Sequence, residues 1–435
     1  MRDVPLTVEV ATPAPAPARS PPAEPITIGV FVTSTAPTSP SQARLQRSIF
    51  EGLRELADRR FEFVVLSFDA RPAADLPWRH VTIRTRGRWG EAGRRLAAGA
   101  ARLARSAWRL MGATGGRTLA ALERAARVEP AHFQQLRELN VRLLWNVNQH
   151  ALETPTPFIR TIWEANHRIH SMYPEYSHAR YGFEGVDAGM AASLARASYV
   201  VTGTEVGKDQ IVRMLGVHEG KVRVIPFPAP DLSGMAAGGA PPPLGRFILY
   251  PSRFWPHKNH VVIVEALALL RARGVDLPCV FTGADGGTLD HVLRAADRLG
   301  VRDLIDHRGQ VTDAELAALY RAAWAMVYAS AVGPDNLPPL EAMALRCPVI
   351  AADAPGVREQ LDDAALFFPP TDETALADRL LDLAAAPAAR ETLIERGVAL
   401  TADRTGARYA AALLDIFGEF AKVARAWERC DSEVW

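Results

Sequence analysis

The sequence predicts an α/β protein built from two doubly wound, Rossmann-like domains that face each other across a cleft, and three observations carry that expectation. Short apolar runs of strand type alternate with helical segments along most of the chain. A Pro, Gly and Ala stretch over residues 229–244 interrupts the alternation near its middle and has the character of a linker. The chain has 435 residues, 48% of them hydrophobic, which is long for one core and enough for two.

Taken in order, residues 1–25 include ATPAPAPARSPPAEP and predict an extended leader rather than a packed element. The first domain, residues 26–228, opens with a strand at 26–32, a helix at 42–58 and a strand at 61–67, a βαβ order. Apolar runs at 141–147, 158–163 and 199–202 extend the sheet, and 222–226 closes the domain. Residues 84–127 carry many arginines and few acids, interleaved with Trp89, Trp108 and Met111 at helical spacing. That pattern fits a solvated helical face or a lid over the cleft first, and an amphipathic patch for an anionic membrane surface second. The second domain, residues 245–407, has strands near Phe247, Cys279, Ile305, Met326, Val349 and Ala365 alternating with helices, and a last helix covers 408–429.

Two segments of the second domain carry chemistry. Residues 328–352 read YASAVGPDNLPPLEAMALRCPVIAA, a strand, a turn, a helix start and a second strand. Gly333, Pro334, Asp335 and Asn336 break the periodicity, and Pro338 and Pro339 set the φ favoured at the first helical positions, so a helix begins near Pro338. Its positive dipole end would face beyond the strand's carboxyl edge and suit a phosphate. Glu341 sits one turn in, where a carboxylate accepts from a ribose diol or else merely complements the helix dipole. Residues 247–270, FILYPSRFWPHKNHVVIVEALALL, are a buried strand, a basic turn and an apolar helix. Arg253 and Lys258 flank the turn, a planar fork and a point charge beside a helix that Asn259 would cap, which suits a diphosphate. Alone, such a pair is usually solvated surface charge. Followed by the Glu341 segment in the same alternating run, it becomes a candidate site.

These segments, SRFWPHKNH, NLPPLEAMALRCPVIAAD and GVREQLDDAALFF, resemble the nucleotide-sugar-binding half of the family 4 retaining glycosyltransferases, and the resemblance extends over residues 26–420. It implies the GT-B fold, with the last helix returning to the first domain. It also implies that Arg253 and Lys258 hold the donor diphosphate as catalytic groups and that Glu341 binds the ribose, with Asn336 and Leu337 in the same donor-binding turn. The family's base-reading loop resembles His307-Arg308-Gly309-Gln310-Val311, which places Gln310 and Val311 at the base, and Gly283 in FTGADGG matches the turn after the preceding strand.

The chain departs from the family pattern twice. The position eight before Glu341 is Gly333, so the sugar-facing carboxylate expected there is missing, and residues 333–336 resemble a branch with a GPTN-type sequence before LPPLEA. In residues 161–177, TIWEANHRIHSMYPEYS, the common His-Asp pair is replaced by Trp163-Glu164, while His167 matches a downstream family histidine. His167 is therefore the expected catalytic, sugar-contacting histidine and His170 the alternative; a structural hydrogen-bonding role is open for both.

Fifty basic against 49 acidic residues offer no global attraction for nucleic acid. Cys279, Cys347 and Cys430 are widely spaced and read as buried thiols of a reducing compartment, not as a disulfide set or a metal site. The sequence has no apolar run of membrane-spanning length and no hydrophobic signal core near its start, so the expectation is a cytoplasmic protein, with peripheral attachment at the inner membrane face as the alternative. There is no DxD sequence to hold a metal on the diphosphate, so the expected transfer is metal-independent and uses no cofactor beyond the sugar nucleotide. The resemblance implies a hexose donor, GDP-mannose first and UDP-hexose next, and a glycan or lipid-linked acceptor in bacterial surface polysaccharide assembly. Two other readings compete with it. One is a catalytically impaired, nucleotide-binding scaffold of the same fold; the other is a phosphorylase-like enzyme, disfavoured because no pyridoxal phosphate lysine segment is recognisable.

Overall fold

Strand β1 (Ile26–Phe31) leads into helix α1 (Pro40–Leu56), followed by β2 (Phe61–Ser67) and β3 (Arg79–Thr82). The first domain continues through α2 (Ala131–Glu138), β4 (Val141–Asn146), β5 (Phe158–Thr161), the short helices α3 (Asn166–Ile169) and α4 (Pro174–Ser177), α5 (Phe183–Arg196), β6 (Tyr199–Thr202), α6 (Glu205–Leu215) and β7 (Val222–Val224). This computed structural model describes residues 24–34, 40–69, 77–84, 130–177, 183–230 and 245–428. Residues 1–23 of the expected leader, nearly all of the basic stretch at 84–127, most of the linker and Cys430 lie outside the described residues.

The second domain comprises β8 (Ile248–Pro251), α7 (His260–Ala272), β9 (Cys279–Thr282), α8 (Leu289–Arg298), β10 (Ile305–His307), α9 (Asp313–Ala322), β11 (Ala325–Tyr328), α10 (Leu337–Ala344), β12 (Val349–Ala352), α11 (Val357–Leu361), β13 (Ala365–Phe368), α12 (Glu373–Ala385), α13 (Pro387–Ala402) and α14 (Gly406–Glu428). The strands form two sheets, in the orders β3-β2-β1-β4-β5-β6-β7 and β10-β9-β8-β11-β12-β13. Every pairing is parallel. Helices cover both faces of such sheets, which is why central strands such as Ala325–Tyr328 and Val349–Ala352 are buried at every residue and read as continuous apolar runs instead of alternating ones. In each sheet the strand order reverses beside the first strand, β1 or β8, and the loops at the carboxyl ends there form a crevice where ligands of this architecture bind.

Burial pushes the Cys347 thiol up to about 12 and raises the Cys279 thiol as well. Both are free and fully inside the second core. Helix α14 crosses back to the first domain, where Tyr409, Leu413, Phe417 and Phe420 join the core of β1, β2 and α1. The Phe417 ring lies 5.7 Å from Phe61 and 6.3 Å from Trp145. Helices α1 and α14 touch backbone to backbone: a Cβ on Gly52 would stand 2.2 Å from the Gly406 carbonyl carbon.

Some local expectations differ from the structure. The edge strand β3, Arg-His-Val-Thr, has no apolar run to announce it and exists because β2 offers a free edge to pair with. Asn259 precedes α7 but does not cap it. It sits in the left-handed region at φ 53°, and its Nδ2 donates to the Pro370 carbonyl at 2.7 Å, tying the turn to the segment after β13.

Candidate active site

A cavity of about 450 Å³ opens between the domains at the carboxyl ends of β5, β8 and β11. Its second-domain wall is the basic turn after β8 with the turn at 332–338 before α10. Its first-domain wall is the start of α1, the segment after β5 and Tyr176 of α4.

The basic turn is held by local chemistry. Pro256 sets the first φ of a single tight helical turn, Pro256–Lys258, that delivers Lys258 to the cavity. Lys258 Nζ donates to the Tyr328 hydroxyl oxygen at 3.1 Å and to Ser330 Oγ at 3.3 Å. Tyr328 in turn donates to Asn336 Oδ1 at 2.6 Å, and Asn336 Nδ2 donates to the Gly333 carbonyl at 2.7 Å. This relay runs from the ammonium to the turn before α10, so the charge and the helix start keep one relative position. Arg253 is exposed at the rim, its guanidinium 5.9 Å from the Trp255 ring centre. Helix α10 has prolines at its second and third positions, which removes two N–H donors. What it offers an anion is its dipole and the Leu337 end.

Hydrogen-bonded contacts join the domains around the cavity. Glu175 of α4 accepts from the His257 backbone N–H at 2.9 Å and pairs with the ring Nδ1. Burial, followed by the Lys258 charge, holds His257 down at about 4 against the opposing pull of Glu175. Glu359 of α11 accepts from the backbone N–H groups of Glu205 (2.5 Å) and Val206 (3.1 Å), which places a carboxylate on the positive end of α6. Arg44 of α1 donates to Glu341 Oε1 from Nε at 3.0 Å and from Nη2 at 2.7 Å, and to Asp313 at 2.5 Å. Tyr320 donates to the other Glu341 oxygen at 3.1 Å.

The expected residues divide into three groups. Arg253, Lys258, Asn336 and Leu337 line the cavity together. Gly283, Gln310 and Val311 do not line it, although they gather at the adjoining carboxyl edge, where the Gly283 N–H donates to the Gly309 carbonyl at 2.7 Å. A Cβ on Gly283 would meet the Ser252 carbonyl oxygen at 2.3 Å, so only glycine lets these two turns approach. Glu341 and His167 form the third group, away from the cavity. Glu341 is 1% exposed, lines no part of the cavity and has both oxygens engaged, so its carboxylate is not open to a ribose in this arrangement. His167 lies off the cavity, with Nε2 3.1 Å from Asp187, which also receives the guanidinium of Arg168. His170 does not line the cavity either.

The structure brings in groups to which the sequence assigned no role: Glu164, Tyr176, His257 and Tyr328 at the cavity, and Arg44 and Glu175 around it. Tyr328 stood in the segment already singled out, at the carboxyl end of a strand, which was a usable signal. Arg44 offered none, because its partners are far off in sequence. Among the described residues, no group of three or more His, Cys, Asp or Glu side chains converges as a metal site would need.

Residues 240–399 match the family described as glycosyl transferases group 1. The O-antigen chain mannosyltransferase RfbU of Salmonella typhimurium is 29% identical over 185 residues, which is 42% of this chain and 49% of that protein. The O-antigen chain mannosyltransferase B of Escherichia coli is 25% identical over 52% of this chain and 61% of its own length. The D-inositol 3-phosphate glycosyltransferase of Streptomyces bingchenggensis is 31% identical over 52% of this chain and 54% of its own. The match thus spans 49% to 61% of the length of these curated relatives. Among solved structures, a glycosyltransferase from Rickettsia africae superposes with a TM-score of 0.61 at 15% identity, over 92% of this chain and 100% of that one. Anabaena HepE in complex with UDP and glucose gives 0.61 at 15% identity, over 91% and 100%. The fold is GT-B, two Rossmann-like domains facing across the cleft that holds the cavity.

Proposed function

We propose that the protein is a retaining hexosyltransferase that moves a sugar, mannose foremost, from a nucleotide diphosphate donor to a glycan or lipid-linked acceptor in bacterial surface polysaccharide assembly. One observation carries this reading: Lys258 is locked by Tyr328 and Ser330 beside the start of α10, inside the interdomain cavity. A fixed ammonium, a second cation in the Arg253 guanidinium and a helix dipole suit a departing diphosphate, because charge develops on its oxygens as the bond from the sugar to the phosphate breaks. The match of the second domain to group 1 glycosyl transferases and the mannosyltransferase names of two relatives support it.

In this reading the cleft places the acceptor hydroxyl on the face of the sugar from which the diphosphate leaves. The departing phosphate oxygen takes the hydroxyl proton, the acceptor oxygen bonds to the anomeric carbon and the configuration is retained. The chain supplies position and electrostatics, and no enzyme nucleophile or metal enters the scheme. GDP-mannose is the first donor proposed and a UDP-hexose the second, the latter supported by the UDP named with a structure of the same fold. The site of action belongs to the same proposal, at the cytoplasmic face where a lipid-linked acceptor is presented. Among the described residues no helix is long and apolar enough to cross a membrane.

A thermal-shift panel of UDP, GDP, ADP and their sugar conjugates tests the reading. A binding nucleotide at a hundred times its dissociation constant adds about 2.7 kcal/mol of apparent stability, so the donor base should stand out. No shift with any nucleotide overturns the assignment. A nucleotide-binding scaffold without transfer is the second reading, favoured by the engagement of Glu341 with Arg44; it predicts a nucleotide shift without turnover on any acceptor.

A further inference from the structure

Among the described residues, the carboxylates at or beside the cleft include Glu164, Glu175, Asp335 and Glu341, and the last three are committed to protein partners or closed off by packing. Glu341 is taken by Arg44 and Tyr320; Glu175 gives Oε1 to the backbone and ring of His257, and its Oε2 is buried away from the open space. Asp335 accepts from Gln360 at 2.5 Å through Oδ1, while its Oδ2 is pressed against Gly203, where even a Cβ would collide.

Glu164 differs. It follows β5 directly and lines the cavity on the first-domain wall, partly exposed to the open space. One of its oxygens, Oε2, accepts from Asn166 Nδ2, and the same amide reaches the Tyr176 hydroxyl at 3.3 Å, so the carboxylate has an orientation imposed from behind. Burial raises its pKa, while the Lys258 charge and then the Asn166 bond pull the other way, which puts it within electrostatic reach of the cation assigned to the diphosphate. On the second-domain wall Gly333 presents no side chain, and its φ of +106° with Asn336 Oδ1 3.1 Å from a built Cβ leaves no comfortable place for one. A hexose attached to a diphosphate at Lys258 would therefore meet a carboxylate from the first domain and bare backbone from the second.

We propose that Glu164 is the donor-sugar contact of this cleft, accepting hydrogen bonds from hexose hydroxyls and thereby selecting the sugar and holding it for transfer. The assignment rests on the glycosyltransferase reading above. A carboxylate suits the task because it accepts only, offers two oxygens to neighbouring hydroxyls and makes charge-assisted bonds.

The test compares the full chain with Glu164→Gln and Glu164→Ala in two assays. The first measures binding of the nucleoside diphosphate alone and of the same nucleotide bearing its hexose. Both variants should bind the bare diphosphate as wild type does, which also reports an intact fold. Both should lose the extra affinity conferred by the sugar, Glu164→Ala by ~10-fold or more, as loss of a hydrogen bond to a charged group typically gives. The second is steady-state kinetics, where the donor KM should rise and kcat fall with the acceptor KM unchanged. Retention of the sugar increment by both variants, a change confined to the acceptor KM, or weakened binding of the bare diphosphate each overturns the role. If wild type binds no nucleotide, the glycosyltransferase reading falls and this assignment falls with it. If wild type binds and turns over while the variants match it, only this assignment falls.

Discussion

Lys258, the cation proposed for the diphosphate, is held in place by Tyr328 and Ser330, with Asn336 behind Tyr328. A solvated lysine samples many rotamers, whereas this one donates to Tyr328 and Ser330, and Tyr328 is itself held by Asn336. An ammonium fixed before the reaction spares the reorganisation that a mobile one would need. Lys258→Ala should therefore lower kcat/KM by on the order of 100-fold, as removal of one charge-stabilising group does elsewhere, without abolishing the fold. Full turnover in that variant would remove Lys258 from the mechanism. Of the residues argued from sequence, Arg253, Lys258, Asn336 and Leu337 were legible because Pro and Gly punctuate the turns that carry them. The partners of Glu341 were not legible. Arg44 is 297 positions away, and nothing in either segment records that the other docks there.

At the scale of elements, α1 and α14 hold the first domain to the end of the chain through a contact only glycine permits. A Cβ on Gly52 would lie 2.2 Å from the Gly406 carbonyl carbon, and one on Gly406 would lie 2.0 Å from the Ser48 carbonyl oxygen. Backbone on both sides cannot swing away as a side-chain end could. Gly52→Ala should cost at least ~1–3 kcal/mol, the usual range for overpacking, even though alanine is the better helix former. Urea unfolding measures it, and an unshifted midpoint would mean that the helices do not meet there. The start of α10 shows how far local chemistry reaches: its two prolines announced the helix, as expected of residues with a preset φ. The same logic failed at Asn259, because a residue suited to cap a helix by hydrogen bonding turned its amide to the Pro370 carbonyl.

Across the whole molecule, the domains meet in part through acids of the second placed on the first. Glu359 caps the start of α6, and Asp335 packs on Gly203 just before it. Burial first, then the nearby Glu359, pushes the Asp335 carboxyl up to about 7, with Arg404 and Gln360 opposing. Its pKa when folded is thus above the ordinary 3.8, and the folded protein keeps a proton that the unfolded chain releases. The stability this group contributes is full below pH 3.8 and is lost as pH rises toward about 7. Asp335→Asn, which stays neutral, should lack that decline, so its stability relative to wild type should grow over the same interval. Denaturant unfolding at several pH values checks it, and parallel wild-type and variant curves would refute the buried, proton-holding state.

The alternation of apolar runs, the linker composition at mid-chain and the proline-marked turn before α10 are local properties, and from them the sequence by itself determined two parallel α/β sheets and the basic turn of the candidate site. Periodicity and preset φ act over a few residues, so one strand of text suffices to read them. The tertiary structure alone decided which carboxylate is open to the cavity. Glu341 is closed by an arginine from α1, Glu175 by His257 and Asp335 by Gln360 and Gly203, which leaves Glu164 facing the space beside Lys258. Those pairings depend on how two domains approach each other in space, and electrostatic contacts between distant segments leave no period or spacing in the chain that makes them.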